Sequence, residues 1–209
     1  MKAVIFDMDG VIIDSEPIHF EVDLQTIGEL GGNISKEGLE KYVGTTNEYM
    51  YTDIKQKFNI SKSLDEIISY KVELTKKRII ELELEPIEGI RELLKELKRK
   101  NINTAIASSS PRDFIELVVS KFKIENYIEY IISGEEVDNG KPDPAIYIET
   151  AKKLRLSPEE CTVIEDSRNG VLAAKAAGMR CIGFQNVNSG NQDLSNADII
   201  VHSITEVKF

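Results

Sequence analysis

The sequence predicts an α/β fold, in which a doubly wound, parallel, Rossmann-like sheet forms the core and an α-helical cap domain is inserted after the first strand. Three observations predict it. An apolar, β-prone run opens the chain at Ala3–Phe6, helical patterns then continue to position 84 without a strand, and helices and strands alternate from Pro86 onward. The predicted core domain therefore comprises residues 1–14 and 85–209, and the predicted cap domain comprises residues 15–84.

The cap region carries four helical patterns. Pro17–Leu30 has apolar residues close to helical spacing, and Gly31-Gly32 ends it. The other three patterns cover Lys36–Tyr42, Asn47–Phe58 and Leu64–Leu84. Since no strand interrupts them, we interpret this region as one helical insertion.

The region after Pro86 has the alternation typical of a parallel sheet. Its predicted helices are Glu88–Lys100, Arg112–Phe122, Pro144–Leu154 and Asn169–Ala177, and its predicted strands are Thr104–Ala107, Tyr130–Ile132, Thr162–Ile164, Cys181–Phe184 and Asp198–Val201. The opening strand joins the same sheet, because a single exposed strand is not stable alone.

Composition limits the function classes. The chain has 209 residues, 41% of them hydrophobic and 30% charged, which is typical of a globular protein large enough to bury a core. A net charge of −10 argues against a nucleic-acid partner. No apolar run approaches the roughly 20 residues of a membrane helix, and no signal-type segment opens the sequence, so we expect a cytoplasmic protein. We expect it to be a monomer or a weak dimer. Cys161 and Cys181 lack a CxxC spacing and are expected to be free thiols.

The first strand ends in a pair of acids, Asp7 and Asp9, followed at once by Gly10. Because side chains alternate along a strand, both carboxylates can point to the same side, where they repel each other unless a cation or a shared proton intervenes. This arrangement is a setting for metal-assisted chemistry. The alternative is a pair of solvated acids that cap a turn.

Two further strand ends carry residues suited to binding phosphate. Ser108-Ser109-Ser110-Pro111 forms a capping arrangement with Pro at the first helical position, and its hydroxyls and open N–H groups also suit a phosphate. In Gly140-Lys141-Pro142-Asp143-Pro144, the acid is the expected N-cap and the second proline opens the helix. Lys141 is left without a structural role, so we interpret it as a phosphate ligand.

The strand that ends at Ile164 is followed by Glu165-Asp166-Ser167. Ser167 is an expected helix cap, whereas the two acids supply the hard oxygen ligands that Mg²⁺ requires.

These motifs, in the order Asp-x-Asp, Ser, Lys, Glu-Asp, resemble the haloacid dehalogenase superfamily, in its phosphatase and β-phosphoglucomutase branch with a helical cap. The resemblance spans nearly the whole chain and is carried by Asp7-Met8-Asp9-Gly10-Val11, Ser108, Lys141-Pro142 and Glu165-Asp166-Ser167. It implies that Asp7 is a nucleophile that forms an aspartyl-phosphate and that Asp9 is a general acid and then a base. Ser108 and Lys141 would bind the transferring phosphoryl group. The implied Mg²⁺ ligands are Asp7, Asp9 through its backbone carbonyl, Asp166, and Glu165 as a contributor.

The resemblance also indicates residues on the substrate side. Ser109, Arg112, His19 and Asn47 complete the predicted phosphate- and substrate-binding set. Ser15 and His19 match positions that couple cap closure to the acid/base aspartate, although for His19 a packing role on an apolar helix face is favoured.

The cap departs from the family's mutase. That enzyme carries a lysine just before the cap's glycine and an arginine three residues after it, where this chain has Val43 and Asn47. The clamp for a second phosphate is therefore missing, although Lys41 keeps the mutase open if the helix register shifts. The Pro111-Arg112 pair resembles the pattern at the same place in sugar-phosphate phosphatases. The sequence thus predicts a Mg²⁺-dependent phosphatase for a small phosphorylated metabolite, with β-phosphoglucomutase as the alternative. A non-catalytic binding module is disfavoured because no catalytic position is substituted.

Overall fold

The structure, a computed structural model, describes residues 1–40, 42 and 47–209. The predictions for Lys41 and Val43 therefore lie outside the described residues. The chain divides into two compact units, of which one comprises Met1–Asp14 and Leu84–Phe209 and the other Ser15–Glu83. Within the described part of the chain, no helix is both long and apolar enough to cross a membrane.

The larger unit contains one six-stranded, wholly parallel sheet. Its strands are β1 (Ala3–Phe6), β2 (Asn103–Ser108), β3 (Tyr130–Ser133), β4 (Cys161–Glu165), β5 (Arg180–Phe184) and β6 (Ile199–Val201). The spatial order is β3-β2-β1-β4-β5-β6, which confirms the predicted doubly wound sheet. The chain builds outward from β1 on one side and then returns to its other side, so the topological switch point lies between β1 and β4. In open α/β sheets, ligands bind outside the carboxyl ends of the strands at this point.

The smaller unit contains only helices among its described residues: α1 (Glu16–Glu29), α2 (Lys36–Glu40), α3 (Asn47–Phe58) and α4 (Leu64–Glu81). Ser63 and Glu66 form a reciprocal capping box at the start of α4. The helix ends three residues before the predicted Leu84, and the residue that follows it, Leu82, is extended. The acids at positions 81, 83 and 85 oppose the dipole at its C-terminus, and Pro86 restricts the residue before it to extended backbone. Ile27, Tyr51 and other fully buried side chains form the core of this unit.

The larger unit adds α5 (Ile90–Arg99), α6 (Arg112–Lys121), α7 (Ala145–Leu154) and α8 (Arg168–Ala176). Strands β1 and β4 are buried along their whole length, which explains their unbroken apolar runs. The prediction of Asp143 as N-cap is wrong by one residue, because Pro144 occupies the cap of α7. The Asp143 carboxylate instead accepts from the N–H of Ala145 at 2.9 Å, as in an Asx turn.

Candidate active site

The segment after β1 is a tight turn that starts from the sheet. The Asp7 N–H donates to the Ile164 carbonyl at 3.0 Å, which extends the pairing with β4 by one residue. The N–H groups of residues 11–13 then converge on the Met8 carbonyl. Gly10 has φ +79°, a conformation that residues with a Cβ rarely adopt. The turn thus keeps Asp7 at the end of β1, beside β4.

Lys141 reaches the end of β1 from the loop before α7. Its ammonium donates to Asp7 Oδ1 at 2.6 Å, to Glu165 Oε1 at 2.7 Å and to the Ala107 carbonyl at 3.2 Å, and it lies 5.0 Å from the centre of the Tyr147 ring. These three acceptors use all three N–H groups of a side chain that is only 6% exposed. The expectation that Lys141 has no structural role is therefore wrong, because its charge holds the ends of three strands together.

Three buried acids meet around this lysine. Oxygen atoms of Asp7, Glu165 and Asp166 lie within 4.8 Å of one another. Three hard oxygen donors with one neighbouring ammonium fit a divalent cation such as Mg²⁺. Asp9, the fourth predicted ligand, is not part of this carboxylate cluster among the described residues, and its Oδ2 accepts from the Ser110 hydroxyl at 2.7 Å. Its predicted contribution through the backbone carbonyl stays a prediction.

Glu165 is the most enclosed of these acids. Its Oε1 accepts from Lys141 and from the Tyr147 hydroxyl at 3.0 Å, and its Oε2 accepts from the N–H and hydroxyl of Ser167 at 2.8 and 2.9 Å. A Cβ placed on Gly170 would lie 1.6 Å from Oε1, so the first turn of α8 packs directly on the carboxylate. With donors on both oxygens, Glu165 is better suited to orienting Lys141 than to ligating an ion directly.

The cluster carries excess negative charge. Burial raises the pKa of Asp7 well above its usual range, because the opposing attraction of Lys141 is offset by Glu165, Asp166 and Asp9. Burial and repulsion from Glu165 raise the pKa of Asp166 to about 8. Burial lowers the pKa of Lys141, but attraction to Asp7 and Glu165 outweighs it, so that pKa lies well above its usual value. One further positive charge would relieve this repulsion.

We expect Mg²⁺ to raise the melting temperature, with a shift that grows as the pH rises toward about 8. The pKa of Asp166 rises from 3.8 to about 8 on folding. Between these two pH values, the folded metal-free protein holds a proton that the unfolded chain has lost. The stability of the metal-free protein therefore falls with rising pH, while competition between protons and the ion weakens. Thermal melts with and without MgCl₂ across this pH range measure the shift. An equal Mg²⁺-induced shift of the melting temperature in Asp166→Asn would contradict the prediction that Asp166 is a metal ligand.

The serine run 108–110 begins at the last residue of β2, and its three side chains have different surroundings. Ser108 is buried and accepts from the N–H of Ser110 at 3.1 Å, whereas Ser109 is exposed beside Gly134. Pro111 occupies the N-cap of α6 rather than its first turn. Ser110 does not cap the helix as expected, because its hydroxyl is committed to Asp9. The serine-rich motif pointed to this region, but not to this contact.

Arg112 lies at the start of α6 and is engaged by its own neighbourhood. Its guanidinium donates to Glu136 Oε1 at 2.7 and 3.1 Å, to the Ile131 carbonyl at 2.6 Å and to Glu116 at 3.4 Å. These bonds tie α6 to the end of β3. A structural role accounts for this side chain, and its predicted phosphate contact gains no support.

His19 lies in the first turn of α1, half-buried, where its backbone N–H donates to the Ser15 carbonyl at 2.9 Å. The helical-unit geometry is compatible with the packing role favoured for it. Its coupling to the acid/base aspartate stays a prediction.

Asn47, the first residue of α3, accepts a hydrogen bond through its side-chain oxygen from the Lys71 ammonium at 2.9 Å. Lys71 is 6% exposed, and its ammonium lies 3.5 Å from Asp23 Oδ1, which also accepts from the Tyr51 hydroxyl at 2.6 Å. The helical unit therefore contains a buried cation beside Asn47. The residues around the glycine of the cap did not indicate it, because Lys71 lies 24 positions beyond Asn47 in the chain.

Comparison with known proteins identifies the relatives of this chain. The family model described as haloacid dehalogenase-like hydrolase matches residues 4–184. A phosphorylated carbohydrates phosphatase of Thermotoga maritima is 36% identical over 183 residues, which cover 87% of this chain and 84% of that protein. Hexitol phosphatase B of Escherichia coli K12 is 34% identical over 213 residues, covering 98% and 93%.

The solved structures include a close match in fold. The crystal structure of a β-phosphoglucomutase from Clostridium difficile has a TM-score of 0.82 and 26% sequence identity, covering 100% of this chain and 94% of that one. This chain is therefore similar in sequence to phosphatases and similar in structure to a mutase.

Proposed function

Since this chain belongs to the haloacid dehalogenase-like hydrolase family, we propose that it is a Mg²⁺-dependent phosphatase that hydrolyses a small sugar phosphate. The observation that carries the proposal is the buried Asp7 carboxylate, held 2.6 Å from the Lys141 ammonium beside Glu165 and Asp166. These groups lie at the carboxyl ends of β1 and β4, where an open sheet of this topology binds its ligand.

In the proposed reaction, Asp7 attacks the phosphorus atom and the bond to the leaving oxygen breaks, which leaves an aspartyl-phosphate. Asp9 donates a proton to the departing alkoxide and later removes one from the water that hydrolyses the intermediate. The Ser110 hydroxyl, 2.7 Å from Asp9 Oδ2, fixes the orientation of that carboxylate. Mg²⁺, held by Asp7, Asp166 and the Asp9 carbonyl, would supply charge stabilisation for the phosphoryl oxygens.

Lys141 has a double role in this proposal. Its three N–H groups already have acceptors, so a phosphoryl oxygen must take the place of one of them. The ammonium therefore fixes the rotamer of the nucleophile before the substrate binds, and offsets negative charge as it develops. Ser108, buried at the end of β2, is the proposed second phosphoryl ligand.

The names of the relatives support the substrate class. The Thermotoga protein is a phosphatase of phosphorylated carbohydrates, and the Escherichia coli protein is a hexitol phosphatase. We extend this class, a small phosphorylated sugar or sugar alcohol, to the present chain.

β-Phosphoglucomutase is the second candidate, and the buried Lys71 is the observation that favours it. A mutase needs a second cationic site for a bisphosphorylated intermediate. The charge of Lys71, however, is balanced by Asp23, and its ammonium is bonded to Asn47. This compensation favours the phosphatase.

We expect the purified protein to release phosphate from hexose or smaller sugar phosphates, with negligible conversion of β-glucose 1-phosphate to glucose 6-phosphate even when a bisphosphate primer is present. A phosphate-release assay on a metabolite panel and a coupled glucose 6-phosphate assay measure the two activities side by side. Asp7→Asn protein gives the background for both. Isomerisation that is faster than phosphate release from every substrate would establish the mutase instead.

A further inference from the structure

Ser189 lies in the loop after β5 and contacts the acidic cluster. Its side chain is buried, and its hydroxyl donates a hydrogen bond to Asp166 Oδ2. The two residues are 23 positions apart in the chain, and no motif marks the serine. The hydroxyl thus contacts one of the proposed metal-binding carboxylates directly.

The loop that carries Ser189 is anchored to the turn after β1. The Asn186 side-chain N–H donates to the Gly10 carbonyl at 3.0 Å, and the N–H of Ser189 donates to the Asn186 carbonyl at 3.3 Å. Asn188 donates through its side chain to Asp14 Oδ2 at 2.6 Å. Two asparagines therefore fix the serine relative to the turn that carries Asp9.

The Asp166 carboxylate is packed tightly on the side that faces Gly10. A Cβ built on Gly10 would lie 1.9 Å from Asp166 Oδ2 and 2.8 Å from Ser189 Oγ. Contacts this short are impossible for real atoms, so the carboxylate packs directly on the glycine backbone with the serine hydroxyl beside it. The Asp166 side chain is thus held between the turn after β1 and the loop after β5.

We propose that Ser189 is a positioning residue for the metal site, which holds the Asp166 carboxylate toward Asp7 and Glu165 before an ion binds. This inference rests on the proposed function, because it assigns Asp166 as a ligand. Removal of a partner that orients a metal ligand typically costs roughly 10–100-fold in metal affinity or activity. Without the hydroxyl, Asp166 gains rotational freedom, which ion binding must then remove.

The test measures Mg²⁺ binding in the absence of substrate. We expect Ser189→Ala to weaken the apparent Mg²⁺ affinity, obtained from the melting temperature of the whole protein as a function of MgCl₂, by about tenfold. Ser189→Thr should restore affinity because it keeps the hydroxyl. Ser195→Ala removes an exposed serine from the same region and serves as the matched control. In turnover assays, Ser189→Ala should need more Mg²⁺, with kcat near the wild-type value once the ion saturates.

The outcomes separate this inference from the proposed function. If wild-type protein binds Mg²⁺ and Ser189→Ala binds it equally well, Ser189 has no positioning role and the metal site stands. If wild-type protein does not respond to Mg²⁺, the metal site and this inference fail together. Should Ser189→Ala not fold, Ser189→Thr and Ser189→Val form a second pair of similar volume, of which only the first retains the hydroxyl. Equal Mg²⁺ affinity in that pair also overturns the inference.

Discussion

Asp7→Asn is expected to lower turnover of every substrate by on the order of 10⁴-fold or more, the loss seen when a covalent nucleophile is removed. An amide is a poor nucleophile, and the change also removes one negative charge from the proposed metal site. The fold should remain intact, and the metal-free protein should melt at or above the wild-type temperature. The reason is that burial and the neighbouring acids already hold the pKa of Asp7 well above its usual range, so a neutral side chain suits the site.

Asp9→Asn provides the matched control, because it changes a neighbouring acid with a different proposed role. It should slow hydrolysis of alkyl phosphates, whose leaving groups need a proton, far more than hydrolysis of an aryl phosphate with an acidic leaving group. Asp7→Asn should slow both substrates alike. Initial rates on the two substrate types, together with thermal melts, test whether Asp7 and Asp9 have these two different roles. Wild-type activity in Asp7→Asn would refute the covalent mechanism.

The fold was predictable from the sequence because its signals are local. Unbroken apolar runs mark strands buried on both faces, as in β1 and β4. The absence of such runs between the first strand and Pro86 indicates the helical insertion. Where element ends differ, as at Glu81 rather than Leu84, side-chain charge and the approach of Pro86 decide the boundary, and periodicity does not report them.

The acidic cluster was predictable because parallel strands bring their carboxyl ends to one edge of the sheet. Glu165 is the last residue of β4, whereas Asp7 and Asp166 directly follow β1 and β4. Oxygen atoms of the three side chains lie within 4.8 Å of one another. The role of each of the three acids is harder to predict from the sequence. Glu165 accepts four hydrogen bonds because α7 and α8 pack around it. The spacing of residues in the sequence does not encode this packing.

Contacts made by single polar residues from distant segments escaped the sequence argument. The hydroxyls of Ser110 and Ser189 reach Asp9 and Asp166, although neither serine belongs to a pattern specific for those partners. Lys71 lies in a helix rich in charged residues, where the sequence pattern does not distinguish a buried lysine from a solvated one. Its burial depends on where Asp23 and α3 lie in space.

We expect Lys141→Met and Lys141→Ala to lower kcat by at least ~10²-fold, as for loss of a charge-stabilising group. Both should also destabilise the metal-free protein, because Asp7 and Glu165 lose the ammonium that lies 2.6 and 2.7 Å from them. Breaking a buried ion pair typically costs about 3–5 kcal/mol. Met retains most of the side-chain volume and Ala does not. A loss of kcat or of stability that is common to both variants is therefore due to the lost charge.

The response of these Lys141 variants to Mg²⁺ separates catalysis from stability. With the ammonium gone, the ion would be the main positive charge facing Asp7 and Asp166, so it should raise the melting temperature of the variants by more than it raises that of the wild type. Turnover should stay low at saturating Mg²⁺, since the ion does not replace the Lys141 N–H group that binds a phosphoryl oxygen in the proposed reaction. Lys152→Ala is the control: this lysine is exposed, contacts only Glu149 among the ion pairs of the described residues, and should change neither quantity. Wild-type turnover in Lys141→Met, once Mg²⁺ has restored its melting temperature, would show that Lys141 serves stability alone.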